Sequence, residues 1–406
     1  MKKIITTLVL LLSLNVLFVF GQVDSQWRGP NRDGIYPNES LLKKWPDAGP
    51  KLLWSVKGLG DGYSSAAVTS DRVYITGERG GKGTLFAFNL SGKLVWKSPY
   101  GPEWGESHPG ARTTPTVVGN RIYLMSAKGQ AVCFDASGKK MWSVDLIQDF
   151  KARNLNWGMT ESLLVDGDKV FCTPGGRDVM MVALNRNTGK VIWKIKGNGE
   201  TSGYCSPLIV KHGNKRLILT MTAKSVVGVV DADTGEYLWR ASHVTDYDVN
   251  ANTPLYRDGF IFTNSGYGTG GQMFKLADDG KSVKLIWSQD ELDSQFGSVA
   301  LVDGYIYGSG HKNRGWHCLD WKTGKVQFTE RAIGNKGNVI FSDGMLYCYS
   351  ERGDVALVKP NPAKFEVVSS FELEKGSGPH WAHPVIKNGR LYMRHGDALM
   401  VYNIAR

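Results

Sequence analysis

A large aromatic residue that returns every 41 to 51 residues is the feature that most constrains how this chain can fold. In most copies it comes four residues after a glycine, which itself follows an Asp or Asn by three or four residues. The Asp or Asn can accept hydrogen bonds from backbone N–H groups two residues on, and glycine supplies the positive φ of a tight hairpin. The aromatic positions are Trp96, Trp142, Trp193, Trp239, Trp287, Phe328 and Phe371. Each copy therefore predicts a turn and then a strand whose aromatic face packs between adjacent repeats.

A second signature precedes these turns by one strand. An Asp, Asn or Gly opens a short apolar run that ends in Tyr or Phe at residues 71–74, 120–123, 168–171, 259–262, 304–307, 344–347 and 389–392. Helical periodicity is almost absent along the chain. The repeat length fits a four-stranded propeller blade and is too long for a leucine-rich repeat.

The two ends of the repeat array complement each other. The last repeat starts at Ala382 and reaches Tyr402 without a Trp-bearing strand, whereas Leu52–Val56 reads like a closing strand without a repeat of its own. Pairing the two would join the ring and remove an open sheet edge. The sequence therefore predicts an all-β, eight-bladed β-propeller of four-stranded antiparallel blades over residues 49–406, with the last blade closed by the N-terminal strand and an N-terminal extension at 22–48.

The first residues predict export. Lys2 and Lys3 precede an uncharged apolar run that ends at Phe20, and Gly21 offers a small residue for cleavage. Residues 1–21 are therefore interpreted as a signal peptide, which places the protein in the periplasm or at the cell exterior, soluble after cleavage; an uncleaved membrane anchor is the alternative.

The five cysteines lack short spacings, which argues against a disulfide framework or a zinc site.

The net charge of +11 is spread over turns and forms no stripe, which argues against nucleic acid as a partner. An ordinary solvated basic surface explains the excess. The alternative is a preference for anionic ligands or a peripheral contact with a membrane surface.

The repeat resembles that of the pyrroloquinoline-quinone-like (PQQ-like) propellers, whose docking motif is Asp-x-x-Thr-Gly-x-x-x-Trp. Residues 231–239 are the clearest copy, and residues 27–34 (Trp-Arg-Gly-Pro-Asn-Arg-Asp-Gly) resemble the opening of a bacterial subgroup of exported PQQ-like repeat proteins. The resemblance covers almost the whole mature chain. It implies the fold strongly and the function weakly, because propellers host enzymes, scaffolds and binding proteins alike.

Two branches of that family imply different functions. Quinoprotein alcohol dehydrogenases use PQQ with Ca²⁺, often beneath two adjacent disulfide-linked cysteines, whereas the outer-membrane-assembly propeller binds no cofactor and works through protein contacts. This chain has no adjacent cysteines and no haem motif, and it lacks the longer dehydrogenase inserts. It also has no lipobox cysteine, which departs from the assembly lipoprotein. No cofactor is expected, and PQQ with Ca²⁺ is kept as the alternative.

The loops that lead into the innermost strands of a propeller converge on its central channel, where ligands usually bind. In this chain those loops are polar and aromatic at 106–112, 156–161, 202–204, 246–252, 295–297, 336–338 and 380–383. We expect them to form one ligand-binding rim. Its candidate residues are Arg112, Trp157, Tyr204, Asn250, Asn252, Lys336, Asn338, His380 and Trp381.

Two kinds of side chain on this rim suit ligand binding. Trp157 and Trp381 could stack on a sugar ring or a planar quinone, or they could simply fill the channel. Arg112 and Lys336 could hold the carboxylate of PQQ or of an acidic saccharide, or form ordinary salt bridges with Glu106 or Glu161.

Candidate catalytic and metal-binding residues are fewer. Asp246 or Glu161 could act as a base, and His108 or His383, with Tyr204 and Arg112, could serve a polysaccharide-processing enzyme. Three-residue spacing on an extended strand sends His380 and His383 to opposite faces, so a shared metal would need other ligands.

A calcium loop is the remaining metal-binding candidate. Asp246, Asp248 and Asn250 have the first three spacings of such a loop, but Ala251 and Arg257 replace its glycine and its glutamate, so a plain turn is the alternative.

These observations favour a binding or scaffolding propeller that contacts a protein, a small molecule or a saccharide through its rim. A PQQ-dependent sugar or alcohol oxidoreductase is the first alternative, and a polysaccharide-processing enzyme is the second.

Overall fold

The computed structural model describes residues 23–37, 39–296 and 299–406, so the predicted signal peptide at 1–21 lies outside the described residues. These residues form eight antiparallel sheets with almost no helix, which confirms the predicted propeller. Within the same residues, no helix is long and apolar enough to cross a membrane.

The strands of the first four blades, together with two strands that precede them, occupy the first part of the chain. They are β1 (Val23–Ser25), β2 (Leu52–Val56), β3 (Ala67–Val68), β4 (Arg72–Arg79), β5 (Lys82–Asn89), β6 (Leu94–Pro102), β7 (Thr116–Val118), β8 (Arg121–Met125), β9 (Gln130–Asp135), β10 (Lys140–Asp145), β11 (Leu164–Asp166), β12 (Lys169–Cys172), β13 (Met181–Asn185), β14 (Val191–Ile195), β15 (Leu208–His212), β16 (Lys215–Met221), β17 (Ser225–Asp231) and β18 (Tyr237–Ser242). A helical turn, α1 (Leu146–Asp149), follows β10.

The other four blades complete the ring. Their strands are β19 (Leu255–Arg257), β20 (Phe260–Ser265), β21 (Gly270–Leu276), β22 (Val283–Gln289), β23 (Ala300–Val302), β24 (Tyr305–Ser309), β25 (Trp316–Asp320), β26 (Val326–Glu330), β27 (Gly337–Ser342), β28 (Met345–Ser350), β29 (Asp354–Lys359), β30 (Glu366–Glu372), β31 (Val385–Lys387), β32 (Arg390–His395) and β33 (Ala398–Asn403). A 3-10 turn at Asp246–Asp248 precedes β19.

Each blade runs from its innermost to its outermost strand in chain order. Blades 1 to 7 begin with β3, β7, β11, β15, β19, β23 and β27, and blade 8 joins β31, β32 and β33 to β2. The closing pair is antiparallel, with Trp54 opposite Val401 and Val56 opposite Leu399. This pairing confirms the predicted closure of the ring by the strand around Trp54.

Neighbouring blades meet through the aromatic residue of one blade and the turn of the next. The Oδ1 atom of Asp135 accepts hydrogen bonds from the N–H groups of Ser137 and Lys139 at 2.9 and 3.0 Å, which forms the predicted turn. Trp96 of the preceding blade lies on Gly138 in that turn, where a Cβ atom would come within 2.7 Å of the indole. The indole N–H donates to the carbonyl of Ala136 at 2.9 Å.

The same contact recurs around the ring. Indole rings lie against turn glycines in the pairs Trp54 and Gly92, Trp142 and Gly189, Trp193 and Gly235, and Trp287 and Gly324. The glycine of the motif therefore serves two purposes: it adopts a positive φ, and it leaves room for an aromatic ring. Apolar side chains fill the rest of each gap, so the core is divided into clusters between neighbouring blades.

Every outermost strand also shifts its register by one residue against the strand beside it. Such bulges twist an exposed edge away from the flat geometry that promotes pairing with other chains.

We predict that Gly138→Ala destabilises the protein by about 2–4 kcal/mol, because the methyl group combines backbone strain at φ +86 with a clash against Trp96. Gly119→Ala is the matched control, since Gly119 has φ +57 but nothing within 4 Å of the added carbon. Urea unfolding of both variants measures the difference. Equal losses would show that the ring contact contributes nothing beyond the strain.

Candidate functional site

The N-terminal segment occupies the centre of the ring. Strand β1 pairs with β7, so blade 2 has a fifth strand on its inner edge. The chain then continues through Trp27–Gly34 (the hub segment), where the side chains of Arg28 and Arg32 are each 1% exposed. The sequence predicted an extension at 22–48, and the structure places most of this stretch within the propeller.

Arg28 binds one side of the ring. Its guanidinium donates to the carbonyls of Val299 in the loop before blade 6 and Val339 in blade 7, at 2.7 and 3.2 Å. It also contacts the Nδ1 atom of His383 before blade 8, at 3.2 Å.

Arg32 binds the opposite side. It donates to the carbonyls of Ser162 and Leu163 before blade 3, at 2.8 and 2.5 Å, and to that of Pro207 before blade 4, at 3.0 Å. The hydroxyl of Thr116 in blade 2 lies 3.4 Å away. The two arginines together contact six of the eight blades, mostly at carbonyls next to the innermost strands.

Both arginines are buried cations whose hydrogen-bond acceptors are mostly neutral backbone carbonyls. Burial lowers the pKa of both Arg28 and Arg32 to about 10. Among the described residues, no carboxylate forms a salt bridge with either one. Their charge is met by carbonyl oxygens, which supply only partial negative charge.

Two cavities border the hub segment. One, of about 350 Å³, includes Trp27 in its lining and is called the rim cavity. The other, of about 500 Å³, is bordered by Arg32 and by residues of blades 3 to 6 and is called the far chamber. The rim cavity is lined by Trp27, Tyr63, His108, Arg112, Trp157, Thr160, Ser162, Tyr204, Ser206, Val249, Ala251, Tyr267, Gln295, Phe296, Trp381 and His383.

The loops before seven of the eight blades contribute to this lining, as the sequence predicted for the rim. Blade 7 is the exception, because its residues Lys336 and Asn338 are absent from the lining. The candidate residues that the structure brings together here are His108, Arg112, Trp157, Tyr204, Trp381 and His383.

Aromatic rings form most of the cavity wall. Trp381 lies with its ring centroid 4.9 Å from Tyr63, 5.2 Å from His108 and 5.4 Å from Phe296. On the hub segment, Trp27 contacts His383 edge to face at 5.2 Å. Rings in these orientations present both faces and edges, which suits contact with a flat or ring-shaped ligand.

Arg112 brings a positive charge into this aromatic wall. Its three nitrogens donate to the carbonyls of Trp157, Gly110 and His108 at 2.7–2.8 Å, which fixes the guanidinium. These bonds use three of its five N–H donors. It lies 5.5 Å from the ring centroid of Tyr63. Within the described chain it forms no salt bridge, and Glu106, one of its two expected partners, pairs with Lys128.

The contacts of His383 leave it little capacity for proton transfer. Arginine can only donate hydrogen bonds, so the Nδ1 atom of His383 accepts from Arg28 and its Nε2–H donates to the carbonyl of Phe296 at 3.0 Å. Burial, and then the charge of Arg28, lower the pKa of His383 well below its usual range. Burial likewise raises the pKa of Tyr204 to about 12.

Four other candidate residues support the rim without lining the cavity. Lys336 pairs with Glu351 at 3.0 Å. The amide of Asn338 donates to the carbonyls of Trp381 and Ala382 at 3.2 and 3.0 Å, and so positions Trp381. The amide of Asn252 donates to the carbonyls of Asn264 and Ser294. The amide nitrogen of Asn250, with two N–H donors, lies within hydrogen-bond distance of three backbone carbonyls.

The acidic candidates also lie outside the cavity lining. Glu161 is buried, and its Oε2 atom accepts a hydrogen bond from the N–H of Thr173 at 3.0 Å. Asp246 and Asp248 belong to the 3-10 turn. The oxygen of Asn250 accepts from the hydroxyl of Ser265 at 2.6 Å, so its side chain is committed to this network.

His380 and His383 do not share a site, in agreement with their spacing on an extended strand. His380 stacks on His395 with ring centroids 3.6 Å apart and is 2.7 Å from the hydroxyl of Tyr349. Burial, and then the charge of His395, lower the pKa of His380 to about 4.

Sequence reasoning missed three aromatic residues of the cavity. Tyr63 lies before the first strand of blade 1. The expectation that loops before innermost strands form the rim could therefore have identified it too. Trp27 belongs to the opening motif, but nothing in that motif shows that it enters the channel. Tyr267 lies in a loop between two strands of blade 5, outside the pattern.

The donor set does not fit calcium with a quinone. Calcium takes six to eight oxygen ligands, usually with carboxylates among them. The described lining of the rim cavity includes no Asp or Glu. Nor does the described chain hold a cluster of three or more His, Cys, Asp or Glu suited to a metal.

The fold and the cavity define a propeller with a ligand-sized chamber at its centre. The sequence profile of a family described as outer membrane protein assembly factor BamB matches residues 46–145 and 132–362. Because the match spans well over half of the 406 residues, the chain belongs to this family of PQQ-like propellers.

Individual relatives match shorter stretches. The quinoprotein ethanol dehydrogenase of Pseudomonas aeruginosa is 32% identical over 157 residues, which are 36% of this chain and 24% of that protein. BamB of Shewanella oneidensis is 25% identical over 152 residues, 36% of each chain. The chain thus spans between 24% and 36% of the length of these relatives.

Solved structures match over most of the chain. BamB of Moraxella catarrhalis has a TM-score of 0.63 at 17% identity, covering 87% of this chain and 100% of that one. A europium-containing methanol dehydrogenase has a TM-score of 0.66 at 15% identity, covering 92% and 90%. At these identities the likeness shows the fold alone.

We predict that the stability of the wild type falls between pH 4.5 and 8 and that Glu161→Gln abolishes this fall. Burial raises the pKa of Glu161 from 4.5 to about 8, so the folded protein binds a proton there that the unfolded chain releases. The resulting stability is complete below pH 4.5 and disappears as the pH rises through 8. Thermal unfolding across this range tests the prediction, with Glu106→Gln as the exposed control. Parallel curves for wild type and Glu161→Gln would contradict it.

Proposed function

We propose that this chain is an extracytoplasmic binding propeller whose rim cavity holds a ring-bearing anionic ligand. The observation that carries the proposal is a cavity walled by aromatic rings and Arg112, with no carboxylate among its described lining residues. The predicted signal peptide at 1–21 supports the extracytoplasmic location.

The size and the charge of the cavity both support this ligand class. A volume of about 350 Å³ falls within the range of small-molecule sites. Arg112 lines the cavity with a fixed guanidinium, and Arg28 contacts His383, which also lines it. A cationic ligand would meet these charges without a counter-ion, whereas a carboxylate, sulfonate or phosphate would complement them.

The geometry gives less support to catalysis. A polysaccharide-processing reaction through His108 or His383, with Tyr204 and Arg112, needs groups that exchange protons near neutral pH. His108 lines the cavity beside Trp381 and keeps this alternative. Both nitrogens of His383 are committed, and the pKa of Tyr204 is raised to about 12. A PQQ-dependent oxidation keeps the support of the quinoprotein relative, but the residues of the cavity do not supply a calcium site.

A protein partner is the second candidate, and the BamB relatives are the observation that favours it. In that case a side chain of the partner would enter the rim cavity.

A thermal-shift and calorimetric screen tests the proposal. The ligands are neutral and acidic oligosaccharides, 2-naphthoate as a minimal aromatic carboxylate, and PQQ with and without Ca²⁺. We expect acidic ring compounds to bind and their neutral analogues to bind more weakly. A screen in which no anion binds better than its neutral analogue would remove the proposed ligand class. Oxidation of alcohols or sugars with PQQ, Ca²⁺ and a dye acceptor would instead identify the oxidoreductase.

We predict that Arg112→Met weakens binding of the acidic ligands by roughly 10- to 100-fold, the contribution of a charge-assisted hydrogen bond. Arg112→Lys should retain part of the affinity, because it keeps the charge but loses the fixed fork. Isothermal titration measures the change, with Arg153→Met on the exposed surface as the control. Unchanged affinity in Arg112→Met would exclude this guanidinium as the anion contact.

A further inference from the structure

The hub segment lies outside the blades and contacts them largely through the guanidinium groups of Arg28 and Arg32. The ring closes without it, because β2 pairs with β33 and every blade has four strands of its own. The segment is flanked by the short strand β1 and by a backbone pairing of Gly34 and Tyr36 with Phe341 in blade 7. Between these two attachments, the hydrogen bonds of Arg28 and Arg32 to carbonyls of the blades hold it at the centre.

The backbone of the segment is strained at both arginines. Arg28 and Arg32 each have a φ of 59°, in the left-handed region that costs free energy for any residue except glycine. The turn also needs Gly34 at φ +81, because a Cβ atom there would approach the Nη2 atom of Arg28 closely. The contacts of the two guanidinium groups with the ring therefore offset a backbone strain within the segment itself.

The same segment forms part of the ligand site. Trp27 lines the rim cavity, and Arg28 contacts His383, which lines it as well. A ligand in the rim cavity would therefore touch both the ring and the hub segment. Any ligand that binds the seated arrangement more tightly than the unseated one must shift the equilibrium toward it.

We infer that the hub segment seats and unseats as a unit while the ring stays folded, and that occupation of the rim cavity and seating of the segment stabilise each other. This inference rests on the proposed function for its ligand and adds the regulation of that site.

Trypsin cleavage after residues 28 and 32 reports seating directly. In the variant Arg28→Lys/Arg32→Lys, both positions remain trypsin sites and keep their charge, but they lose the planar fork that reaches several carbonyls at once. We expect native-state cleavage at these two sites to be at least tenfold faster than in wild type, and faster than the change in the unfolding midpoint of the ring accounts for. Arg257→Lys is the control, because Arg257 borders the far chamber and lies outside the hub segment.

Gly34→Ala is a second variant that leaves every ring residue intact and displaces the head of Arg28. It should also accelerate cleavage at residues 28 and 32. Cleavage that tracks global unfolding in both variants would overturn the inference, because the segment would then be an inseparable part of the ring.

The coupling is tested with 2-naphthoate. If the inference is correct, saturating 2-naphthoate slows cleavage of the wild type at residues 28 and 32. Its affinity for the double lysine variant is lower than for the wild type, because part of the binding free energy is then used to seat the segment. Binding of equal strength to both proteins, with no protection, would overturn the coupling alone. Failure of 2-naphthoate to bind the wild type would count against the proposed ligand class and the coupling, while the cleavage rates of the variants would still decide whether the segment unseats.

Discussion

The structure depends on a contact between an aromatic ring and the backbone of a turn, repeated from blade to blade. A four-stranded sheet cannot bury both of its faces alone, so each blade is stable only against its neighbours. Trp96 on Gly138 shows how close that contact is, since the ring occupies the space where any other residue would carry its Cβ atom. Because five blade pairs show the contact at the same place, the small rotation between these blades is also repeated, which helps the sheets to close into a ring.

The centre of the ring is stabilised in a different way. Carbonyl groups beside the innermost strands point toward the axis, and buried carbonyls need donors. Arg28 and Arg32 supply these donors from a segment outside the repeats, and they meet blades on opposite sides. The cost is two desolvated cations with no paired carboxylate in the described chain. The positive interior that results is the physical reason for the proposal that the rim cavity holds an anionic ligand.

Membership of the family does not by itself decide the function. Relatives named as quinoprotein dehydrogenases and as BamB share the fold, and this chain spans no more than 36% of the length of the two compared. The residues of the cavity separate the alternatives better than the fold does. Aromatic rings with a fixed arginine suit binding. The committed nitrogens of His383 argue against that residue as a catalytic histidine, and the absence of carboxylates from the described lining argues against a calcium site there.

The sequence by itself determined the blades, their number and the closure of the ring, because turn residues, strand length and the packing aromatic are local features that recur at fixed spacing. The strand around Trp54 could be assigned because the last repeat lacked that one strand. The rim was predicted in part for the same reason, since loops before innermost strands must converge, and Arg112, Trp157 and Trp381 were located by that rule. Only the tertiary structure decided where Arg28 and Arg32 lie. It also decided that Trp27 lines the rim cavity. The partners of the two arginines are backbone carbonyls on six blades, and carbonyl groups are present at every residue, so no pattern of side chains in the sequence marks where these two arginines bind.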